Sequence, residues 1–205
     1  MKFYFAPGTI AIATGLLLEE AGLNYEPIRL NFADGDQTKP DYLSINPKAR
    51  VPALVTDQGI LTETGAIAEF IAAQAPEKGL VPGDTWQAGQ MRSICYYLAS
   101  TFHVNHAHGP RGIRWADQPG SLDDMRAKLP HNMAASCAFV EEACALDPFV
   151  MGTGFTIADP WLFAISTWLE GDGVDVDRFP RLKAHRTMMA ARPSADAIRA
   201  IGLLK

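Results

Sequence analysis

The chain has 205 residues, of which 48% are hydrophobic and 20% charged, ordinary proportions for a globular protein with room for one large or two small domains. Its 18 Lys and Arg are dispersed among 23 Asp and Glu, so the basic face that a nucleic acid partner requires is missing. No apolar run approaches membrane-spanning length and the N-terminus lacks a long apolar leader core, so the expected location is cytoplasmic, with no membrane partner.

In chain order, Lys2 to Phe5 reads as a short aromatic-rich strand, and Pro7-Gly8 breaks it. Thr9 is placed to cap a helix running to Ala21, with Gly22 at its C-terminal stop. Asn24 to Leu30 is a second strand. Asn31 to Ser44, carrying Asp34-Gly35-Asp36 and Pro40, is a polar loop with a short helix. Pro52 forces Val51 towards extended geometry, and Ala53-Leu54-Val55 continues as a buried strand. Asp57-Gln58-Gly59 supplies a turn, Ile60-Leu61-Thr62 returns antiparallel, and Thr64 caps a helix whose Ile67, Phe70 and Ile71 share one face before Pro76 stops it. A βαβ unit followed by ββα predicts a mixed four-stranded sheet over residues 1–76. Prolines, glycines and charges concentrate in 77–84, which reads as a linker.

Residues 85–205 read as helical throughout. A helix from about Trp86 carries Met91, Ile94, Cys95 and Leu98, and its continuation STFHVNHAHGPRG is expected to end at Gly109-Pro110. Ser121 with Asp124 marks another start, in a pattern that runs to Leu146 and that Pro130 should bend or divide. Phe155-Thr156-Ile157-Ala158-Asp159 is a capping box opening a helix with large apolar residues on several faces, hence a central buried one. Phe179-Pro180 and Pro193 punctuate two shorter helices. Cys95, Cys137 and Cys144 lack paired spacing and lie in apolar helical stretches, as reduced core thiols do.

A cis Val51-Pro52 bond would leave the Val51 N–H and C=O free to pair with a short extended peptide, and Thr64 with the first N–H groups of its helix would receive a carboxylate. The pair describes a receptor for a small peptide with an anionic end. The same residues also suit a hairpin packed on a helix with no ligand.

The opening KFYFAPGTIAIATGLLLEEAGLNYE, the NPKARVPAL loop, ILTETGAIAEFI and FTIADPWLF occur in the order of the bacterial cytosolic glutathione S-transferases, and the layout most resembles the beta-like group. The resemblance implies an α/β thioredoxin-like N-terminal domain and an all-α C-terminal domain, glutathione as co-substrate with no other cofactor, no metal, a small electrophile as second substrate, and a homodimer. It implies a glutathione site of Thr9, Ile10, Lys39, Arg50, Val51, Pro52, Glu63 and Thr64, with the Lys39, Lys48 and Arg50 charges facing the glycyl carboxylate.

The thiol-activating position departs from that group, because Ile10 and Ala11 stand where its cysteine and a serine-like residue belong. Thr9 is the nearest hydroxyl, and Tyr4 is turned away if the strand alternates. Expected catalytic residues are Thr9 and, as the resemblance implies, His103 in place of the group's active-cleft histidine, with Val104 where its lysine follows, or His106 one helical turn on. His103, His106 and His108 also have a spacing that invites a metal, although no acidic partner lies close by in sequence. Tyr96, Arg111, Arg114 and Trp115 are candidates for the electrophile pocket, with surface and core roles open to them as well. With no thiol in the first 94 residues, glutaredoxin-like exchange is disfavoured. The implied reaction is attack of glutathione thiolate on an electrophile; the alternatives are a non-catalytic glutathione-binding protein of the same fold or a glutathione-dependent isomerase.

Overall fold

Alternation along β1 (Lys2–Phe5) buries Phe3 and Phe5 and leaves Lys2 in water. The computed structural model describes all 205 residues. β2 (Glu26–Arg29) runs parallel to β1, β3 (Ala53–Thr56) antiparallel to its other side, and β4 (Gly59–Thr62) antiparallel to β3, giving the order β2-β1-β3-β4. The register sets Phe3 opposite Leu54 and Leu54 opposite Leu61, so one apolar row crosses the sheet. This is the mixed sheet expected from the βαβ and ββα patterns.

Helix α1 (Ala11–Ala21) is buried along most of its length, and Gly22 at φ 68° closes it, as its sequence position predicts. Its start is shifted by one residue from expectation: Ile10 holds the cap position and makes no side-chain cap bond, while the Thr9 hydroxyl accepts a long hydrogen bond from the Ala11 N–H at 3.4 Å. A short turn at Asp36–Thr38 and α2 (Pro40–Leu43) fill the polar loop. α3 (Thr64–Gln74) also begins one residue off, with Glu63 as the cap residue at φ 74° and Thr64 inside the first turn. Thr64 is the better capper by side chain, but the tight exit from β4 at Thr62 needs left-handed backbone at the next residue.

Between Lys78 and Thr85 the chain forms neither helix nor strand, and helices follow to the C-terminus. α4 (Thr85–Tyr97) leads through a wider π turn at Leu98–Phe102 into α5 (His103–Arg111). Pro110 does not stop α5 as predicted; it lies in the last turn, where its disruption falls on a helix about to end. α6 (Pro119–Ala143) starts on a proline at its first helical position, with Gln118 rather than Ser121 at the cap position and no side-chain cap bond, and ends three residues before Leu146. Pro130 does not divide it, because Pro130 lies on the exposed side, where a carbonyl deprived of its partner can turn to water.

All nine residues of α7 (Ala158–Ser166) are buried, and the helix packs against α1, α4 and α8 (Pro180–Ala190). The capping box forms as read: Asp159 accepts hydrogen bonds from the Thr156 N–H at 2.7 Å and hydroxyl at 3.1 Å. It also accepts from the distant Val150 N–H at 2.7 Å and lies 3.1 Å from His185 Nε2. α9 (Pro193–Ala200) is tied to α1 by Arg192, whose guanidinium donates to both oxygens of Glu20 at 2.7 and 2.8 Å. The three cysteines are free and buried, and desolvation pushes their thiols up to about 12 for Cys95 and Cys137 and about 11 for Cys144. No helix is long and apolar enough to cross a membrane.

Candidate functional site

Between the sheet domain and the helices lies a cleft of about 880 Å³, whose floor comes from the loops the sequence singled out. The Val51-Pro52 bond is cis. Asn46 Nδ2, at 2.7 Å, and the Tyr42 hydroxyl both donate to the Arg50 carbonyl, which fixes the loop immediately before it. Val51 pairs with no strand through its own N–H or carbonyl, so both stay available to a peptide lying alongside.

At the head of α3, the N–H groups of Thr64, Gly65 and Ala66 have no backbone acceptor, and all three residues face the cleft. Three free N–H groups at a helix N-terminus receive an anion. The Thr64 hydroxyl bonds to no protein group, and the residue is buried. Glu63 beside it holds left-handed backbone, a conformation costing about 1–3 kcal/mol that persists where the surroundings impose it, commonly at functional sites. Its carboxylate is paired with Lys48, and Glu69 is held by Arg92 at 2.7 and 3.1 Å in a two-pronged bridge from α3 to α4. The head of α3 is also close-packed: a Cβ built on Gly65 would lie 3.2 Å from Trp161 Cη2.

The loop before α1 is pinned from both sides, since Gly8 donates its N–H to the Leu203 carbonyl at 2.9 Å and accepts from Trp168 Nε1 at 2.9 Å. Thr9 departs from the expectation for it. Its hydroxyl donates to the Ala6 carbonyl at 2.7 Å, so the one proton it could offer a sulfur is engaged. The N–H groups of Thr9 and Ile10 are free of backbone partners and border the cleft, and they are the donors at this end. Tyr4 packs on Tyr42, with ring centroids 5.7 Å apart, and takes no part in the cleft wall.

His103 and His106 both line the cleft, with unequal surroundings. His106 Nδ1 lies 2.7 Å from Asp172 Oδ2, and its ring stacks on Trp168 at 4.2 Å, so it supports the tryptophan that holds Gly8. Burial first, and then the charges of His106, Arg111, Arg50 and Arg114, push the His103 imidazole down to about 4. His103 is therefore neutral at pH 7 and can exchange hydrogen bonds but not supply a cation. This fixes a pH dependence. As the pH falls from about 6.5 towards 4, the unfolded chain takes up a proton that folded His103 refuses, so folding stability declines over that window. His103→Gln should flatten that part of the profile in denaturant titrations; an identical decline in both proteins would contradict the assignment. His108 sits instead against Trp115, ring centroids 4.5 Å apart, and no group of histidine, cysteine, aspartate or glutamate side chains converges as a metal set.

Of the other expected residues, Arg50 borders the cleft but Lys39 and Lys48 do not. Lys39 is bonded to Asp36 at 2.6 Å across its own loop, which is where its charge is spent. Tyr96, Arg111, Arg114 and Trp115 all line the helical side. Trp161, Trp168 and Gly65 also line the cleft, and the sequence pattern, which marks the helix after Asp159 only as apolar and buried, does not single them out. The wealth of tryptophan on one buried helix and its C-terminal extension was the available signal, but not its direction towards the loop at Gly8.

The glutathione S-transferase N-terminal domain family matches residues 1–73, and the C-terminal domain family matches residues 121–193. Among solved structures, a glutathione transferase homolog from Sulfitobacter with bound glutathione is 51% identical with a TM-score of 0.96, covering 99% of this chain and 98% of its own. A sphingomonad glutathione S-transferase complexed with glutathione is 30% identical with a TM-score of 0.85, covering 99% of this chain and all of its own. The curated glutathione S-transferase GstA of Escherichia coli O157:H7 is 27% identical over 211 residues, with 99% of this chain and 100% of that protein aligned.

Proposed function

The chain belongs to the glutathione S-transferase family, and from that premise we propose that it conjugates glutathione to small electrophilic compounds in this cleft. The observation that carries the reading is that three sets of unused backbone groups, at Thr64 to Ala66, at Val51 and at Thr9 and Ile10, border one and the same cavity. The γ-glutamyl carboxylate takes the head of α3 and the Thr64 hydroxyl, with the Glu63 carboxylate beside the α-ammonium. The cysteinyl unit pairs with the Val51 N–H and C=O, which the Pro52 bend leaves open. Arg50 neutralises the glycyl carboxylate; Lys39, bound to Asp36, is left out of that role.

The sulfur then lies at the head of α1. There the Thr9 and Ile10 N–H groups take the donor role that the Thr9 hydroxyl has given to Ala6, and they stabilise the thiolate more than the thiol. The thiol proton leaves to solvent, the thiolate forms the C–S bond, and the electrophile's leaving group departs. Neutral His103 borders the same space as a hydrogen-bonding group, and His106 acts at a distance through Trp168. The proposal extends to a cytoplasmic homodimer, for which the exposed Trp86 on α4 offers apolar surface.

Calorimetry with glutathione tests binding. Affinity should be micromolar to millimolar, and Thr64→Ala should lower it by about 1 kcal/mol, the worth of one hydrogen bond. The absence of heat and of competition in that range would remove the reading. The engaged Thr9 hydroxyl also favours a second reading, a protein that binds glutathione without activating it. Binding with no acceleration of any electrophile would select that one.

A further inference from the structure

The charge balance of the cleft identifies a feature of the second substrate. Glu63 and Glu69, the two carboxylates in the wall, are each already joined to a cation, Lys48 and Arg92. Arg50, Arg111 and Arg114 border the same cavity, and none of the protein's ion pairs involves them. Glutathione as its thiolate carries two carboxylates, one ammonium and the sulfur charge, two net negative charges. One of its carboxylates belongs to the amide groups at the head of α3 and the other to Arg50. The pair from the end of α5 and the turn at Gly112–Arg114 is then left without an anion.

These two arginines are not simply dispersed on the surface. The Arg111 guanidinium lies 5.8 Å from the Phe32 ring centroid, a cation resting on an aromatic face across the cleft in the sheet domain. Arg114, exposed at the rim of the cavity, has its proton affinity lowered by partial desolvation and then by the charges of Arg50 and Arg111, so three positive groups stand close together there. Trp115 follows directly and, with His108 against its ring, offers a flat wall beside them. An arginine pair presents planar forks that match a carboxylate, and an aromatic wall alongside matches a planar apolar body.

We propose that the preferred second substrate is an anionic electrophile, a planar conjugated compound bearing a carboxylate that Arg111 and Arg114 hold while its body lies along Trp115. The inference rests on the transferase reading and adds to it the charge of the substrate. The step itself is balanced by that reading: the C–S bond forms, the bond to the leaving group breaks, and the thiol proton passes to solvent.

A chloronitrobenzoate and its methyl ester test it, because both lose chloride to glutathione and they differ in charge. The value of kcat/KM for each is divided by its rate with glutathione in buffer, which removes the difference in intrinsic reactivity. The carboxylate should be favoured by about tenfold or more at low salt, with the preference shrinking as salt is added. Arg111→Gln with Arg114→Gln should bring the ratio close to one, and Arg114→Glu should turn it in favour of the ester. Equal or greater acceleration of the ester by the unaltered protein, or a preference that survives the double substitution, overturns the inference and leaves the transferase standing. If neither compound is accelerated while glutathione binds, the transferase reading falls and takes the inference with it.

Discussion

Asp159→Ala should destabilise the protein by about 3–5 kcal/mol, the loss expected when a buried charged acceptor is taken from partners that remain. Asp159 is fully buried and serves four groups at once: two N–H groups, at Val150 and Thr156, the Thr156 hydroxyl and the His185 ring. After truncation the Val150 and Thr156 N–H groups have no water to turn to. The helix that Asp159 starts, α7, is the wholly buried one on which α1, and with it the loop at Thr9, rests. At this chain length the loss corresponds to a fall of about 10 °C in Tm. Asp159→Asn keeps the volume and one acceptor but sets an NH2 against donors, so it should recover little. A thermal midpoint within a degree or two of the unaltered protein would show that the box is replaceable and that α7 is held by apolar packing alone.

Gly65→Val should weaken glutathione binding by about tenfold or more, while Thr64→Ala next to it costs only one hydrogen bond. The built Cβ at Gly65 meets two ring atoms of Trp161, at 3.2 and 3.4 Å, and that ring is only 4% exposed and belongs to the buried helix. Trp161 is anchored in the buried helix, so the contact is relieved at the expense of the first turn of α3, at a cost of about 1–3 kcal/mol for overpacking. That turn carries the three free N–H groups, and they lose their aim together. Glutathione calorimetry on the folded variant reads this directly. An unchanged affinity would mean that the head of α3 is not where the tripeptide's carboxylate sits.

What the sequence disclosed and what it withheld divide along the range of the interactions. The Val51-Pro52 step, the hairpin at Asp57-Gln58 and the box at Thr156 to Asp159 are written within a few consecutive residues, and each formed where it was read. Gly22 ended its helix for the same local reason. The misplaced caps are instructive: side-chain chemistry nominated Thr9 and Thr64, yet the backbone path out of the preceding element put Ile10 and Glu63 in the cap positions. The left-handed turn at Glu63 has no residue-type signal, since glutamate rarely adopts it. Pro110 and Pro130 show a similar limit, with α5 ending one residue past the first and α6 undivided by the second, because a proline's cost depends on how near the helix end lies and on what its freed carbonyl can reach. Least legible were the long-range relations. Trp168 reaches Gly8 across 160 positions of sequence, and Arg111 reaches Phe32 from the opposite domain. Periodicity can place such a residue on a helix but cannot say which distant loop the helix will face.

The account stands on the free amide groups at the head of α1 doing for the bound sulfur what the absent cysteine or hydroxyl cannot. The pH titration of the thiolate's ultraviolet absorbance, with glutathione bound and then free, measures this without any choice of electrophile. The account predicts that the bound thiol ionises at least one pH unit below the ordinary thiol value of about 8.5, and that Thr9→Ala barely changes the shift because that hydroxyl is turned to Ala6. A bound thiol that titrates where free glutathione does would contradict it and leave a protein that binds the tripeptide without activating it.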